Sequence, residues 1–131
     1  MREIIFRAKR ADNSEWAEGF YSQSDEMPNR WEIGHFIRCG LNSEFQVIPE
    51  TVSQYTGLGD KNGKKIFEGD IVIDRYANCY TPFFQNGIYM AYDPRNIKLK
   101  KAEPSTQFNL IWKEGCEVIG NIHDGCKGGE Q

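Results

Sequence analysis

The chain has 131 residues, a formal net charge of −3, 27% charged and 13% aromatic side chains. That size supports one domain-sized core with room for a small appendage, and the aromatic content excludes a disordered chain. The acidity argues against a general phosphate-neutralising surface, and no apolar run approaches the roughly 18 residues of a membrane span. In chain order, Ile4, Phe6 and Ala8 alternate with Ile5, Arg7 and Lys9, which predicts a strand, and Asp12-Asn13-Ser14 predicts a turn. Trp16 to Tyr21 reads as a second strand broken by Gly19, and Ser22 to Asn29, polar and containing Met27-Pro28, as a loop. Trp31 to Arg38 is an extended stretch with a glycine break, and Phe45, Val47 and Ile48 make a short strand stopped by Pro49.

The stretch from Gln54 to Val72 carries the strongest local signals. Tyr55, Thr56 and Leu58 precede Asn62-Gly63, and Ile66 and Phe67 follow it. Asn-Gly tolerates the positive φ of a tight turn, so this is a strand, a turn and a strand, with the Asp60 side chain as a cap. Glu68-Gly69-Asp70 then punctuates the chain before the Ile71-Val72-Ile73 strand.

From Tyr76 to Pro94 the pattern is irregular and aromatic, with Pro82, Asn86-Gly87 and Pro94 as interruptions. Asp93 as N-cap with Pro94 at the first helical position predicts a helix from Arg95 to Glu103, although the alternation from Asn96 to Lys100 suits a strand equally. Phe108, Leu110 and Trp112 alternate as in a half-buried strand, Lys113-Glu114-Gly115 turns, and Val118, Gly120 and Ile122 line one face of a last strand. The tail from Gly125 to Gln131 is polar and Gly-rich, and a flexible end is expected. The class is mainly β with minor α. With only three consecutive apolar residues near the start, no secretory segment is visible, and a cytoplasmic protein is expected.

The four cysteines, Cys39, Cys79, Cys116 and Cys126, are widely spaced and read as reduced thiols. His35 near Cys39, and His123 near Cys116 and Cys126, raise a zinc site, but only His123 and Cys126 have close ligand-pair spacing, so no metal and no cofactor are expected. Asp60, Glu68 and Asp70 are near in sequence, and paired carboxylates do acid–base work only at a fixed separation in a cleft. Turn chemistry explains them with less assumption. Cys39 near His35 lacks a nucleophile signature, and Gly57-Leu58-Gly59 has Asn62 where a third phosphate-loop glycine belongs. No catalytic set emerges.

Three blocks together resemble the YopX family of phage and prophage proteins. They are Arg2 to Arg7 continuing through Asp12-Asn13 to Trp16; Pro49 to Val52 running into Gln54 to Leu58, Asp60 to Lys64 and Ile66 to Val72; and Glu117-Val118-Ile119-Gly120-Asn121-Ile122. The resemblance implies a phage or prophage gene product with a Src-homology-3-like barrel in its C-terminal part, and it implies no activity or catalytic residues. The expected organisation is an N-terminal β-rich segment over 1–50, a barrel domain over 51–124 with an irregular insertion near 77–107, and a tail over 125–131. The insertion and the His123-Asp124-Gly125-Cys126 end depart from the family pattern.

Two functions from different classes follow. The first is a non-catalytic module contacting a host or phage protein through Tyr76, Tyr80, Phe83, Phe84, Tyr89 and Tyr92. The second is a nucleic-acid-binding small barrel using Arg95, Lys98, Lys100 and Lys101 beside Tyr89 and Tyr92. Exposed aromatics favour the first. Convergence of these cations with the Arg7, Lys9, Arg10 and Lys61, Lys64, Lys65 clusters on one face favours the second. Neither needs a membrane, and neither specifies an oligomeric state.

Overall fold

The structure, a computed structural model, describes residues 4–25, 33–41, 43–97 and 106–126. It is mainly β, and the chain divides into two compact units with the boundary between Tyr55 and Thr56. No helix of the described residues is long and apolar enough to cross a membrane.

In the first unit, β1 (Phe6–Lys9) pairs antiparallel with β2 (Trp16–Ser24), placing Ala8 opposite Ala17 and Phe6 opposite Gly19. β2 pairs in turn with β3 (Gly34–Arg38), and β3 with β4 (Glu44–Gln46). The break expected at Gly19 and the start of the loop expected over Ser22 to Asn29 are both corrected here; the part of that loop from Glu26 on lies outside the described residues. β2 runs on to Ser24 because Tyr21 to Ser24 find partners in Ile37 to Gly34. Gly19 serves close approach instead: a Cβ there would lie 2.0 Å from the Arg38 carbonyl oxygen. Ala11 N–H donates to Gln46 O and Ile48 N–H to Lys9 O, around a bridge between Arg10 and Val47. The four strands thus curl around Ala8, Ala17, Ile37 and Val47, which Phe6, Tyr21, Phe45 and Val52 pack against. After a 3₁₀ turn over Pro49–Thr51, β5 (Ser53–Gly59) opens beside β1, with Gln54 opposite Phe6.

In the second unit, the end of β5 pairs with β6 (Lys65–Phe67) across the predicted turn. Then β7 (Asp70–Asp74) pairs with β8 (Cys79–Gln85), β8 with β9 (Ile88–Tyr92), and β9 with β10 (Thr106–Gln107). On its other side β7 pairs with β11 (Cys116–Asn121), which is followed by β12 (Gly125–Cys126). Among the described residues these ladders stay open and no barrel closes. The terminal strands β10 and β12 are two residues long, each paired on one side, and closure needs end strands that meet edge to edge.

The irregular reading of Tyr76 to Pro94 gives way to a hairpin. Asn86 and Gly87 both hold positive φ, 52° and 91°, and link Gln85 directly to Ile88, as a primed two-residue turn does. Pro94–Ile97 is a short helix, α1, and the rest of the helix expected to Glu103 lies outside the described residues. The strand expected over Phe108, Leu110 and Trp112 is a helix, α2 (Phe108–Lys113). Phe108 and Ile111, three apart, are its buried pair, whereas Leu110 and Trp112 are exposed. Burying the first two is worth about 1.5–3 kcal/mol each. In β11 the register slips between Val118 and Gly120. That bulge moves the buried positions from Cys116 and Val118 to Asn121, so Val118, Gly120 and Ile122 do not share a face as alternation predicted. The core is Ile66, Val72, Ala91, Phe108, Ile111, Cys116 and Val118, with Leu58, Tyr80 and Tyr89 against it.

Candidate functional site

Two places in the second unit gather unusual chemistry. The first is Asp60, at the end of the β5–β6 hairpin. Its Oδ1 accepts the Asn62 and Lys64 N–H groups, both at 2.9 Å, and its Oδ2 accepts the Val118 N–H at 2.9 Å. Burial would raise this carboxyl, but the Val118, Lys64 and Asn62 amides, with the Lys64 charge, hold it below the usual carboxylate range. Beside it lies a cavity of about 350 Å³ lined by Gly59, Lys61, Trp112, Lys113, Gly115 and Cys116. Trp112 Nε1 donates to Gly59 O at 2.7 Å, and the Lys61 ammonium sits 3.5 Å from Glu117. Burial pushes the Cys116 thiol up to about 11, with the Asp60 and Asp74 charges adding, so it is no nucleophile at neutral pH. Asp60 spends both oxygens on backbone amides, and the arrangement is a strut that ties a turn to β11.

The second place is the β8–β9 hairpin, where the six aromatics singled out from the sequence divide. Tyr92 is buried, and its hydroxyl donates to Gln85 Oε1. Phe83 is half-buried, edge-on to Tyr92 at 6.0 Å. Tyr80 and Tyr89 are half-buried and pack on the core. Phe84 is 51% exposed and meets Tyr89 edge-to-face at 5.1 Å between centroids. Tyr76 is exposed in the β7–β8 turn, under the Arg75 guanidinium at 4.9 Å. Ile88, which sequence reasoning passed over, is 44% exposed. The Asn86-Gly87 signal was enough to find it, since a two-residue turn puts Gln85 and Ile88 opposite each other at the tip. Phe84 and Ile88 therefore stand on opposite faces of one apolar fingertip.

The family model described as YopX protein matches residues 5–127, nearly the whole chain. The chain belongs to the YopX family. One similar solved structure is the crystal structure of protein EF1440 from Enterococcus faecalis, with 22% identity, 94% of this chain and 95% of that chain covered, and a TM-score of 0.49. No curated protein matches the chain.

Seen on this YopX chain, the block from Gln54 to Val72 is built of carboxylates that hold backbone. Besides Asp60, Asp70 is almost fully buried and its Oδ2 accepts the Phe67 N–H at 2.8 Å, while Glu68 Oε2 accepts the Phe84 N–H at 3.0 Å. The candidate acid–base trio is thus engaged at a turn, a connector and a strand edge. Among the basic residues, Arg95 is exposed and its guanidinium grips Asp93 at 2.7 Å, while Lys98, Lys100 and Lys101 lie outside the described residues. The N-terminal cluster separates. Arg7 and Lys9 lie over the Trp16 ring at 4.5 and 5.5 Å, and Arg10 pairs with Asp12 and covers Phe45 at 3.9 Å. His35 Nδ1 shares a 2.6 Å hydrogen bond with the Tyr21 hydroxyl, and Cys39 is exposed. Among the described residues no group of three or more His, Cys, Asp or Glu side chains gathers as metal ligands do.

Proposed function

We propose that this YopX-family chain is a non-catalytic interaction module of a phage or prophage, which contacts a host or phage protein through the β8–β9 fingertip. The observation that carries the reading is the pair Phe84 and Ile88, exposed at 51% and 44% on a turn held by two positive-φ residues. Large apolar groups on a rigid protrusion lose little entropy on docking, and such groups dominate interface energetics. Tyr92 and Phe83 serve as the base that holds the finger, and Tyr89 backs Phe84.

The test compares wild type with the Phe84→Ser/Ile88→Ser double variant. A host protein retained by the immobilised wild type is purified and titrated against both by calorimetry. Loss of roughly tenfold or more in affinity, at unchanged melting temperature, supports the fingertip. Equal affinity overturns it. Titrating labelled single-stranded and duplex nucleic acids at several salt concentrations tests the other class. Salt-steep binding that survives in the double variant replaces the protein-partner reading with phosphate contact.

A further inference from the structure

We propose that the cavity beside Trp112 is a second docking site, and that it takes an acidic peptide segment of a partner protein with one apolar side chain seated against the indole. The proposal rests on the reading of the chain as a protein-binding module, but not on the fingertip. The polar groups of the cavity walls are satisfied from within. Trp112 Nε1 donates to Gly59 O at 2.7 Å, the Lys61 N–H donates to Cys116 O at 2.9 Å, and both Asp60 oxygens accept backbone amides. What remains for an incoming group is the face of the indole, which is 38% exposed, and the backbone of Gly59 and Gly115. Two of these bonds join residues 53 and 58 apart in the chain, so the folded core holds the cavity open before anything docks. Its volume of about 350 Å³ lies at the small end of the range for ligand pockets, which suits one large side chain. Tryptophan is the residue type most often found as the anchor of an interface.

The rim supplies the charge. Lys61 and Lys113 line the cavity, and the charge of Lys64 reaches Asp60. All three lysines are exposed. Among the described residues Lys64 and Lys113 have no ion pair. The Lys61–Glu117 pair is exposed on both sides and worth little, so Lys61 can turn to another carboxylate. The acids nearby are engaged: Asp60 by three amides, and Glu114 by Arg75 at 3.3 Å. A cationic rim around an apolar seat, on a chain of net charge −3, is the complement of an apolar side chain flanked by carboxylates. A nucleic acid fits less well. Its bases stack on successive aromatic faces, and among the described residues Trp112 is the one ring that lines this cavity.

Selection from a random peptide library displayed on phage, against immobilised full-length wild type, tests the proposal. The enriched peptides are expected to carry Asp or Glu beside one large apolar residue. An enriched peptide is then synthesised with a fluorescent label and titrated by anisotropy. Trp112→Ala and Lys61→Glu/Lys113→Glu are each expected to weaken it roughly tenfold or more, and Phe84→Ser/Ile88→Ser to leave it unchanged. Should Trp112→Ala fail to fold, the lysine variant decides, since both of its substitutions are at exposed side chains. Enrichment of no peptide, or of peptides without acids, overturns the proposal, as does unchanged binding in either folded cavity variant. Loss of binding in Phe84→Ser/Ile88→Ser alone moves the peptide to the fingertip, which overturns the cavity site and spares the module reading. Displacement of the peptide by oligothymidylate makes the cavity a nucleic-acid site and also overturns the proposal.

Discussion

Two hairpins of the second unit turn on the same dipeptide, Asn-Gly, and are put to opposite uses. In the Asn62-Gly63 turn of the β5–β6 hairpin Gly63 has positive φ, at 82°, and Asn62 does not, and the turn folds around the Asp60 carboxylate. In the β8–β9 hairpin Asn86 and Gly87 both have positive φ, and the tip carries exposed Phe84 and Ile88. The first is anchored from 58 residues away, by Val118. The second is held below its tip, where Glu68 takes the Phe84 N–H, and its Phe84 and Ile88 side chains stay exposed. A turn signal therefore states that the chain reverses, and the neighbouring side chains decide whether the reversal is a strut or a tip.

The sharpest way to break this contrast is Asp60→Ala. It strands the Val118 amide in the core and releases the Asn62 and Lys64 amides, and a loss of about 3 kcal/mol is expected by denaturant unfolding. The same carboxylate makes stability pH-dependent. Its folded value lies below the ordinary 3.8, so its contribution is complete above the unfolded value and is lost as the pH falls through the folded one. Wild type is expected to lose its advantage over Asp60→Asn progressively as the pH falls from the ordinary 3.8 through the lower folded value, where the carboxylate is protonated. A constant gap down to strong acid would refute the anchor.

Gly63→Ala and Gly87→Ala sharpen the comparison from the other side. Among the described residues, chain neighbours aside, neither site has an atom within 4 Å of a new Cβ, and both have positive φ, so each is expected to cost about 1–3 kcal/mol and nearly the same amount. Unequal costs in thermal melts would show that the turns differ in backbone demand as well as in anchoring. Thr81→Val has a smaller effect of opposite sign. Among the described residues the buried Thr81 hydroxyl has no hydrogen-bond partner, and replacing it with a methyl of similar shape is expected to stabilise by about 1 kcal/mol. The smallest effect is at the fingertip. Phe84→Ser is expected to shift stability by no more than about 1 kcal/mol, the scale of one exposed aromatic pair, whatever it does to binding.

The Asn-Gly positions, the Asp60 cap and the Ile71-Val72-Ile73 strand were legible in the chain because they rest on local chemistry: positive φ at the turn glycine, a side-chain acceptor beside its own turn, and a short apolar run bounded by turn residues. Phe108 to Trp112 was misread because positions 108, 110 and 112 fit a strand while 108 and 111 fit a helix. Only packing against the second unit's core selects Phe108 and Ile111 as the inward pair.

The fates of the carboxylates were equally invisible. Nothing near Asp60 announces Val118, nothing near Glu68 announces Phe84, and nothing near Gly19 announces the Arg38 carbonyl. By itself, then, the sequence determined a mainly β chain of the YopX family and the places where it turns. Which aromatics face water and which acids hold backbone were decided by the tertiary structure. Each of these depends on a partner distant in sequence, and only the folded chain brings the two together.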